Sequence, residues 1–242
     1  MFRDLLEQRF PNAASKNAPL TFSHDKGARD TPLIEDTIGD YFDKVVAQHP
    51  DKIAVISRHQ QQRLTYRELQ QKANQLASAM INMGLEKGDR VGIWSHNTIE
   101  WLLMQLATAK AGIILVNINP AYRIFELQYA LNKVDCKVLV LMRHFKTSDY
   151  AQMIQEMAPE IYHQGFESLE LIGLPNLKRI VWIDDPTSSE TFSFMQKFSD
   201  WLTTGDANDP KVAERQRKLN VNNPINIQFT SGTTGAPKAV SY

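Results

Sequence analysis

The chain has 242 residues, enough for one large domain or two small ones. Hydrophobic residues make up 43% of it, which suits a packed core and argues against a disordered chain. Lysine plus arginine equals aspartate plus glutamate at 27 each, and this zero formal charge gives no support for a nucleic-acid surface or a strongly basic membrane face.

Residues 1–30 are polar and irregular, with Pro11, Pro19 and Gly27, and are expected to form an N-terminal arm. Arg3, Asp4, Glu7 and Arg9 interrupt any apolar core in the first ten residues, so no signal peptide is expected. A helix should begin after Thr37, whose hydroxyl can cap it while Asp40 answers. Its apolar positions Ile38, Tyr41, Phe42, Val45 and Val46 recur at helical spacing. A strand follows over 52–58. Thr65 and Glu68 then make a capping box for a helix running to about Met83, with Leu69, Ala73, Leu76, Ala77 and Met80 on one stripe and Gly84 closing it.

The next strand spans 90–95. A helix should start at Asn97, with Glu100 three residues on, and end near Lys110 before Gly112. "IILVNI" is a strand, Pro120 punctuates its exit, "IFELQYALNK" is a short helix and "KVLVLM" a strand. A weaker helix is expected over 149–157. Residues 159–178 carry no clear period, 179–185 form a strand and 192–202 a helix. The polar stretch 203–220 leads into a last strand, "INIQF".

Alternating strands and helices predict an α/β fold with a mainly parallel sheet. The strands lack a clean in/out alternation, so helices should cover both faces. The longest apolar runs, "AGIILV" and "VLVLM", are too short to cross a bilayer, so no integral membrane segment is expected. The single cysteine, Cys136, permits no internal disulfide and fits a reducing compartment, here expected to be the cytoplasm. A lone cysteine can be a nucleophile, but at the mouth of a strand it reads as a small apolar filler. The six histidines are scattered without metal-ligand spacing, and no metal site is expected.

After the last strand comes "TSGTTGAPK", residues 230–238. Thr230, Ser231, Thr233 and Thr234 offer hydroxyls. Gly232 and Gly235 permit positive φ and close backbone approach. Successive N–H groups in such a turn form an anion-binding concavity, and Lys238 adds a positive charge. Together these suit a phosphate, although composition alone favours a plain surface loop. The ordinary P-loop pattern fails: counted from Gly232, Pro237 stands where the second glycine belongs and Ala239 where the magnesium-binding hydroxyl belongs.

The nine positions 230–238 resemble the phosphate-binding signature of adenylate-forming enzymes, the group of acyl-CoA synthetases, luciferases and peptide-synthetase adenylation domains. "LTYREL", "KGDRVGIWSHNTIEWL" and "ATAKAGIILVNINPAYRIFELQYALNKVDCKVLV" are similar to upstream segments of that family, in the same order. Asn119–Pro120 after "LVNI" looks closer to the fatty-acyl-CoA synthetases than to the peptide-synthetase branch. The resemblance implies layered, mainly parallel sheets flanked by helices: the N-terminal part of the acyl-CoA synthetase/luciferase-like large domain, truncated. Residues 31–242 would be an incomplete AMP-binding domain ending just after the phosphate loop.

It further implies ATP, Mg²⁺ and coenzyme A as cofactors, and a fatty acid or other carboxylic acid as substrate. Thr230, Ser231, Gly232, Thr233, Thr234, Gly235 and Lys238 would hold the β- and γ-phosphates. The chain departs from the pattern at Ala239, where the family usually has glycine, and in the "VSY" that follows. Tyr66, Glu68, Asn97 and Tyr122 read as caps and packing residues. The family's other reactive groups lie beyond position 242, so the chain is expected to be inactive alone. The alternative is a non-catalytic binding or interaction protein derived from the fold. Self-association is expected through an unpaired edge on residues 225–229.

Overall fold

The computed structural model of the protein describes residues 30, 32–185, 188–232 and 235–242. It divides into two units, Met1–Glu35 and Asp36–Tyr242. The arm expected over residues 1–30 lies, apart from Asp30, outside the described residues.

Local capping starts the helices. Thr37 caps α1 (Ile38–Gln48): its hydroxyl oxygen accepts the Asp40 N–H at 3.1 Å, and its O–H donates to the Asp40 carboxylate at 2.7 Å. β1 (Ile53–Ser57) and β2 (Gln62–Thr65) form an antiparallel pair. The Thr65–Glu68 capping box then opens α2 (Tyr66–Asn82). β3 (Arg90–Trp94) leads to α3 (Ile99–Ala111), which starts two residues later than expected. Its cap is Thr98, not Asn97, because Gln60 from the β1–β2 turn takes the Ile99 N–H at 2.9 Å and leaves Thr98 to accept that of Trp101 at 3.2 Å. Gly112 closes α3 in the left-handed region, φ 71°.

β4 (Ile114–Ile118), α4 (Ile124–Lys133) and β5 (Val138–Met142) match the expected order. A short antiparallel pair, β6 (His144–Phe145) with β7 (Ser148–Asp149), precedes α5 (Tyr150–Met157), and a 3₁₀ turn at Pro159–His163 follows it. After β8 (Arg179–Ile183), the helix expected over 192–202 exists only as α6 (Phe198–Thr203), preceded by β9 (Gln196–Lys197). The reason is packing: Phe194 and Met195 bury on one side of the sheet while Phe198 and Trp201 bury on the other, so the segment must cross its edge. The polar stretch 203–220 contains a further helix, α7 (Pro210–Arg217), capped by Asp209 with Pro210 in its first turn. β10 (Asn226–Gly232) and β11 (Gly235–Ser241) end the chain.

Seven strands form one sheet in the order β11-β10-β4-β3-β5-β8-β9, parallel at every junction except β10/β11. Side chains alternate between two cores. Val91, Ile93, Leu115, Val138, Val140 and Val181 meet α2, α3, α6 and α7 on one face. Trp94, Val116, Ile118, Leu139, Leu141, Ile180 and Trp182 meet α4, α5 and buried residues of 158–177 on the other. Each such fully buried aliphatic side chain contributes about 1.5–3 kcal/mol. This is the mainly parallel, helix-flanked sheet that the alternation predicts, with both faces covered.

Candidate functional site

The residues singled out for phosphate binding leave the carboxyl end of β10, the edge at which parallel sheets present ligand-binding loops. β10 is fixed to β4 in parallel, with Asn226 opposite Leu115 and Gln228 opposite Asn117. The buried Asn226 side chain locks that register. It accepts from the Asn117 amide at 3.0 Å and donates to Gln105 of α3 at 3.1 Å.

The expected loop is in large part a hairpin. β10 runs on through Thr230 to Gly232, and β11 returns from Gly235, with Thr230 opposite Lys238, Phe229 opposite Ala239 and an irregular register between Thr230 and Gly232. Thr233 and Thr234 lie outside the described residues, and Ser231 and Gly232 are described in their backbone alone. Gly235 has φ 129°, a conformation that side-chain-bearing residues rarely adopt, while an added Cβ would touch nothing within 4 Å. The glycine is therefore required by backbone conformation, not by space.

The strand pairing also corrects the expected open edge on residues 225–229. That segment is interior to the sheet, with β4 on one side and β11 on the other. Asn226 and Tyr242 exchange both backbone hydrogen bonds, at 3.4 and 2.9 Å. By the alternation of an antiparallel ladder, residues 238 and 240 then face β10, while 237, 239 and 241 turn their backbone groups to the open edge. Pro237 thus stands where its missing N–H costs no ladder bond. Its carbonyl accepts the Tyr129 hydroxyl of α4 at 3.2 Å.

Ala239 lies within β11 and not in a tight turn. Its φ is not positive, and its side chain packs with Phe229 and Ile227 against the second core. The methyl group that replaces the family's glycine therefore strains nothing. Directly opposed residues share a face, so Thr230 and Lys238 stand side by side on the surface away from Phe229 and Ala239. Both are exposed, and Lys238 makes no ion pair among the described residues. A hydroxyl and an unpaired ammonium beside a glycine-bearing hairpin end suit an anion with several oxygens. Among the described residues no group of three His, Cys, Asp or Glu could hold a metal ion.

The upstream residues act as scaffold. Glu68 completes a cap, Asn97 is exposed beside one, and Tyr122 packs on the second core, with burial pushing its hydroxyl pKa up. The Asn119 side chain accepts the Ala121 N–H at 2.9 Å, and the Pro120 carbonyl accepts the Tyr150 hydroxyl. Cys136 is buried, donates its S–H to the Val138 carbonyl at 3.1 Å and has its pKa pushed up to about 12 by burial. Such a thiol is a filler, not a nucleophile. Three features escape sequence reading. One is the Asn117–Asn226–Gln105 anchor. Another is the Tyr129 bond to the hairpin. The third is an aromatic cluster at the carboxyl edge, with His96 5.4 Å from His59 and 6.3 Å from Phe145. Only the alternation of "INIQF", which carries Asn226, hints at the first, and no sequence signal marks the other two.

Among known proteins, the AMP-binding enzyme family matches residues 42–242. The medium-chain acyl-CoA ligase ACSF2, mitochondrial, of Mus musculus is 38% identical over 221 residues, which is 90% of this chain and 35% of that protein. The anthranilate CoA ligase AuaEII, solved in complex with anthranoyl-AMP, shares the fold at TM-score 0.66 and 22% identity, covering 90% of this chain and 36% of that one. The N-terminal domain of FACL13 from Mycobacterium tuberculosis does so at TM-score 0.65 and 23% identity, covering 86% and 44%. The chain spans about a third of the length of the curated relatives it matches. No helix among the described residues is long and apolar enough to cross a membrane. With its family signature on the β10–β11 hairpin and the match extending over residues 42–242, the chain belongs to the AMP-binding enzyme family.

Proposed function

We propose that this chain supplies the ATP-phosphate-binding portion of an acyl-CoA synthetase. The whole reaction would be attack of a carboxylate on the α-phosphorus of ATP, giving an acyl-adenylate and pyrophosphate, then transfer of the acyl group to the thiol of coenzyme A. The observation that carries this reading is the exposed Thr230–Lys238 pair at the carboxyl end of β10, in a chain of the AMP-binding family. Thr230, Ser231, Gly232, Thr233, Thr234, Gly235 and Lys238 would hold the β- and γ-phosphates, with Mg²⁺ arriving as the counter-ion of ATP. Residues 31–242 would form part of one AMP-binding domain. A fatty acid is the favoured carboxylate, in keeping with the medium-chain ligase named among the relatives. The single cysteine suits a cytoplasmic setting.

The chain covers 35% of its mouse relative, which favours a second reading of the isolated polypeptide: it binds and does not turn over. Loss of a single transition-state donor costs about 10²–10³ in rate, and several would be missing together. Incubation with ATP, Mg²⁺, coenzyme A and a panel of fatty acids separates the two readings. The expected result is ATP binding without AMP release, and an affinity about tenfold lower in Lys238→Ala, the loss of one charge-assisted contact. AMP release at an ordinary enzymatic rate would refute the binding-only reading. An unchanged affinity in Lys238→Ala would remove the phosphate assignment.

A further inference from the structure

We infer that Tyr129 is a positioning residue for the phosphate-binding hairpin, an inference that rests on the phosphate reading above. β11 is the outer strand of the sheet, and α4 lies against it. Tyr129 supplies the side-chain hydrogen bond from α4 to β11, from its hydroxyl to the Pro237 carbonyl at 3.2 Å. That carbonyl belongs to the peptide group whose N–H is that of Lys238. The plane of this peptide sets where the Lys238 Cα sits and which way its side chain leaves the strand.

Two ladder directions meet at this peptide. Its N–H faces Thr230 across β10/β11, and its carbonyl faces outward to Tyr129. One face of the peptide is thus held by the sheet and the other by a helix. Pro237 removes one backbone freedom, because its ring fixes φ. Tyr129 removes another, the rocking of the outer carbonyl. An edge strand paired on one side only would otherwise let Lys238 sample several directions, and phosphate affinity would carry the cost of ordering it.

α4 can serve as the reference point because its other contacts are firm. Leu127 and Leu131 are buried in the second core, Ala130 is also buried, and Gln128 and Asn132 both donate to the Gly173 carbonyl, at 3.3 and 2.9 Å. The Glu126 carboxylate closes the first turn by accepting the Arg123 N–H at 3.1 Å. The Tyr129 hydroxyl therefore projects from a fixed helix onto the outer carbonyl of a hairpin whose core-facing side chains, Phe229 and Ala239, do not touch that peptide's hydrogen-bonding edge.

The test is direct binding of inorganic pyrophosphate by calorimetry, with hydrogen exchange at the Lys238 and Val240 amides. It compares the wild-type chain with Tyr129→Phe, Lys238→Ala and Asn132→Ala. Tyr129→Phe keeps the ring and removes only the hydroxyl. It should weaken pyrophosphate binding about threefold to tenfold, the value of one neutral hydrogen bond, and speed exchange at both amides. Its thermal midpoint should stay within that of Asn132→Ala, a control one turn along the helix that keeps the Gln128 bond to Gly173 and the core contacts of Leu127 and Leu131, and so should bind pyrophosphate as wild type does. Wild-type binding and exchange in Tyr129→Phe, with binding weakened in Lys238→Ala, would overturn the positioning role and leave the phosphate site intact. Equal weakening in Tyr129→Phe and Asn132→Ala, each with a lowered midpoint, would reduce Tyr129 to general packing. A wild-type chain that binds no pyrophosphate would overturn the phosphate reading and this inference with it.

Discussion

The Lys110 ammonium is 2% exposed and sits at the end of α3, where it would be costly without partners. The Asp43 carboxylate of α1 accepts from it through both oxygens at 2.6 Å, and the Gln216 side chain of α7 accepts at 3.1 Å. Gln70 of α2 and Gln216 in turn donate to Asp43, so one network joins four helices. The two partners are unequally buried, since the Asp43 side chain is 32% exposed. Asp43→Asn strands a buried cation and should cost about 3–5 kcal/mol. Lys110→Met leaves a carboxylate that water can reach and should cost less than half as much, about 1–2 kcal/mol. Urea unfolding of both variants checks the order, and the reverse order would mean that the network is held by the carboxylate. Burial alone would raise the Asp43 pKa, but hydrogen bonds from Lys110, Gln216 and Gln70 outweigh it and hold the carboxyl below its ordinary 3.8. A lowered folded value means stability that is complete above pH 3.8 and lost as pH falls through the lower folded pKa. Acid titration of unfolding should show this loss in the wild-type chain and a shallower slope in Asp43→Asn. Cys136 gives a second check at this scale. With its thiol buried and pushed up to about 12, it should ignore a thiol reagent at neutral pH until the chain is unfolded. Labelling of the native chain at the rate of a free thiol would place it outside the core.

Gly205 shows how elements constrain one another. A Cβ there would lie 1.9 Å from the Gln75 carbonyl oxygen and 2.7 Å from the Ala79 nitrogen, so the turn after α6 presses directly on the backbone of α2. Polar contacts seal the same junction. The Ser78 hydroxyl donates to Asp209 at 2.7 Å and accepts the Asp206 N–H at 3.1 Å, and Asn82 donates to the Thr204 carbonyl at 3.1 Å. Gly205→Ala must push α6 and α7 off α2 and should cost about 3 kcal/mol or more, at the upper end for overpacking. Thermal unfolding measures it, and a loss under about 1 kcal/mol would show that the turn can slide away from the helix. Sequence alone gave good access to elements whose signals are local. The Thr37 cap, the Thr65–Glu68 box, Gly112 and the whole of α4 were visible as hydroxyls, acids and glycines at fixed offsets. The failures have two causes, one for each helix. α6 is short, and residues 192–197 form a tight turn bridged from Phe192 to Met195 and then β9, because Phe194 and Phe198 must reach opposite cores. α7 was readable from Asp209–Pro210, but its one buried apolar residue, Val212, gives it no periodic stripe.

At the scale of the whole molecule, the parallel, doubly covered sheet was legible because near-continuous apolar strands need cover on two sides. Strand order was not, since it is set by which helix crosses which face. β5 lies across β3 from β4, and β10 pairs beside β4, although neither neighbour is close in sequence. The candidate site was visible only as a set of residue types, hydroxyls, glycines and one lysine, that suit a phosphate. Its shape was hidden because glycine and Pro237 read as loop, when the proline is tolerated on the outer side of an edge strand. That edge governs how copies of the chain meet. With zero net charge there is little repulsion to hold them apart, so the backbone itself must discourage pairing. Pro237 lacks the outward N–H, Tyr129 occupies its outward carbonyl, and the neighbouring Lys238 brings a charge that would be crowded by a second strand. The outward groups of Ala239 and Ser241 are too few to hold a pair of edges, since even a two-stranded hairpin is marginal in water. The double variant Tyr129→Phe with Pro237→Val restores the donor and frees the acceptor at the same position, lengthening the open ladder. Light scattering over a concentration series should then rise for the double variant and stay flat for the wild-type chain. Hydrogen exchange should show new protection at residues 237, 239 and 241 as the variant associates. If the wild-type chain scatters as strongly as the double variant, association does not run through this edge, and the exposed face bearing Thr230 and Lys238 becomes the surface to examine.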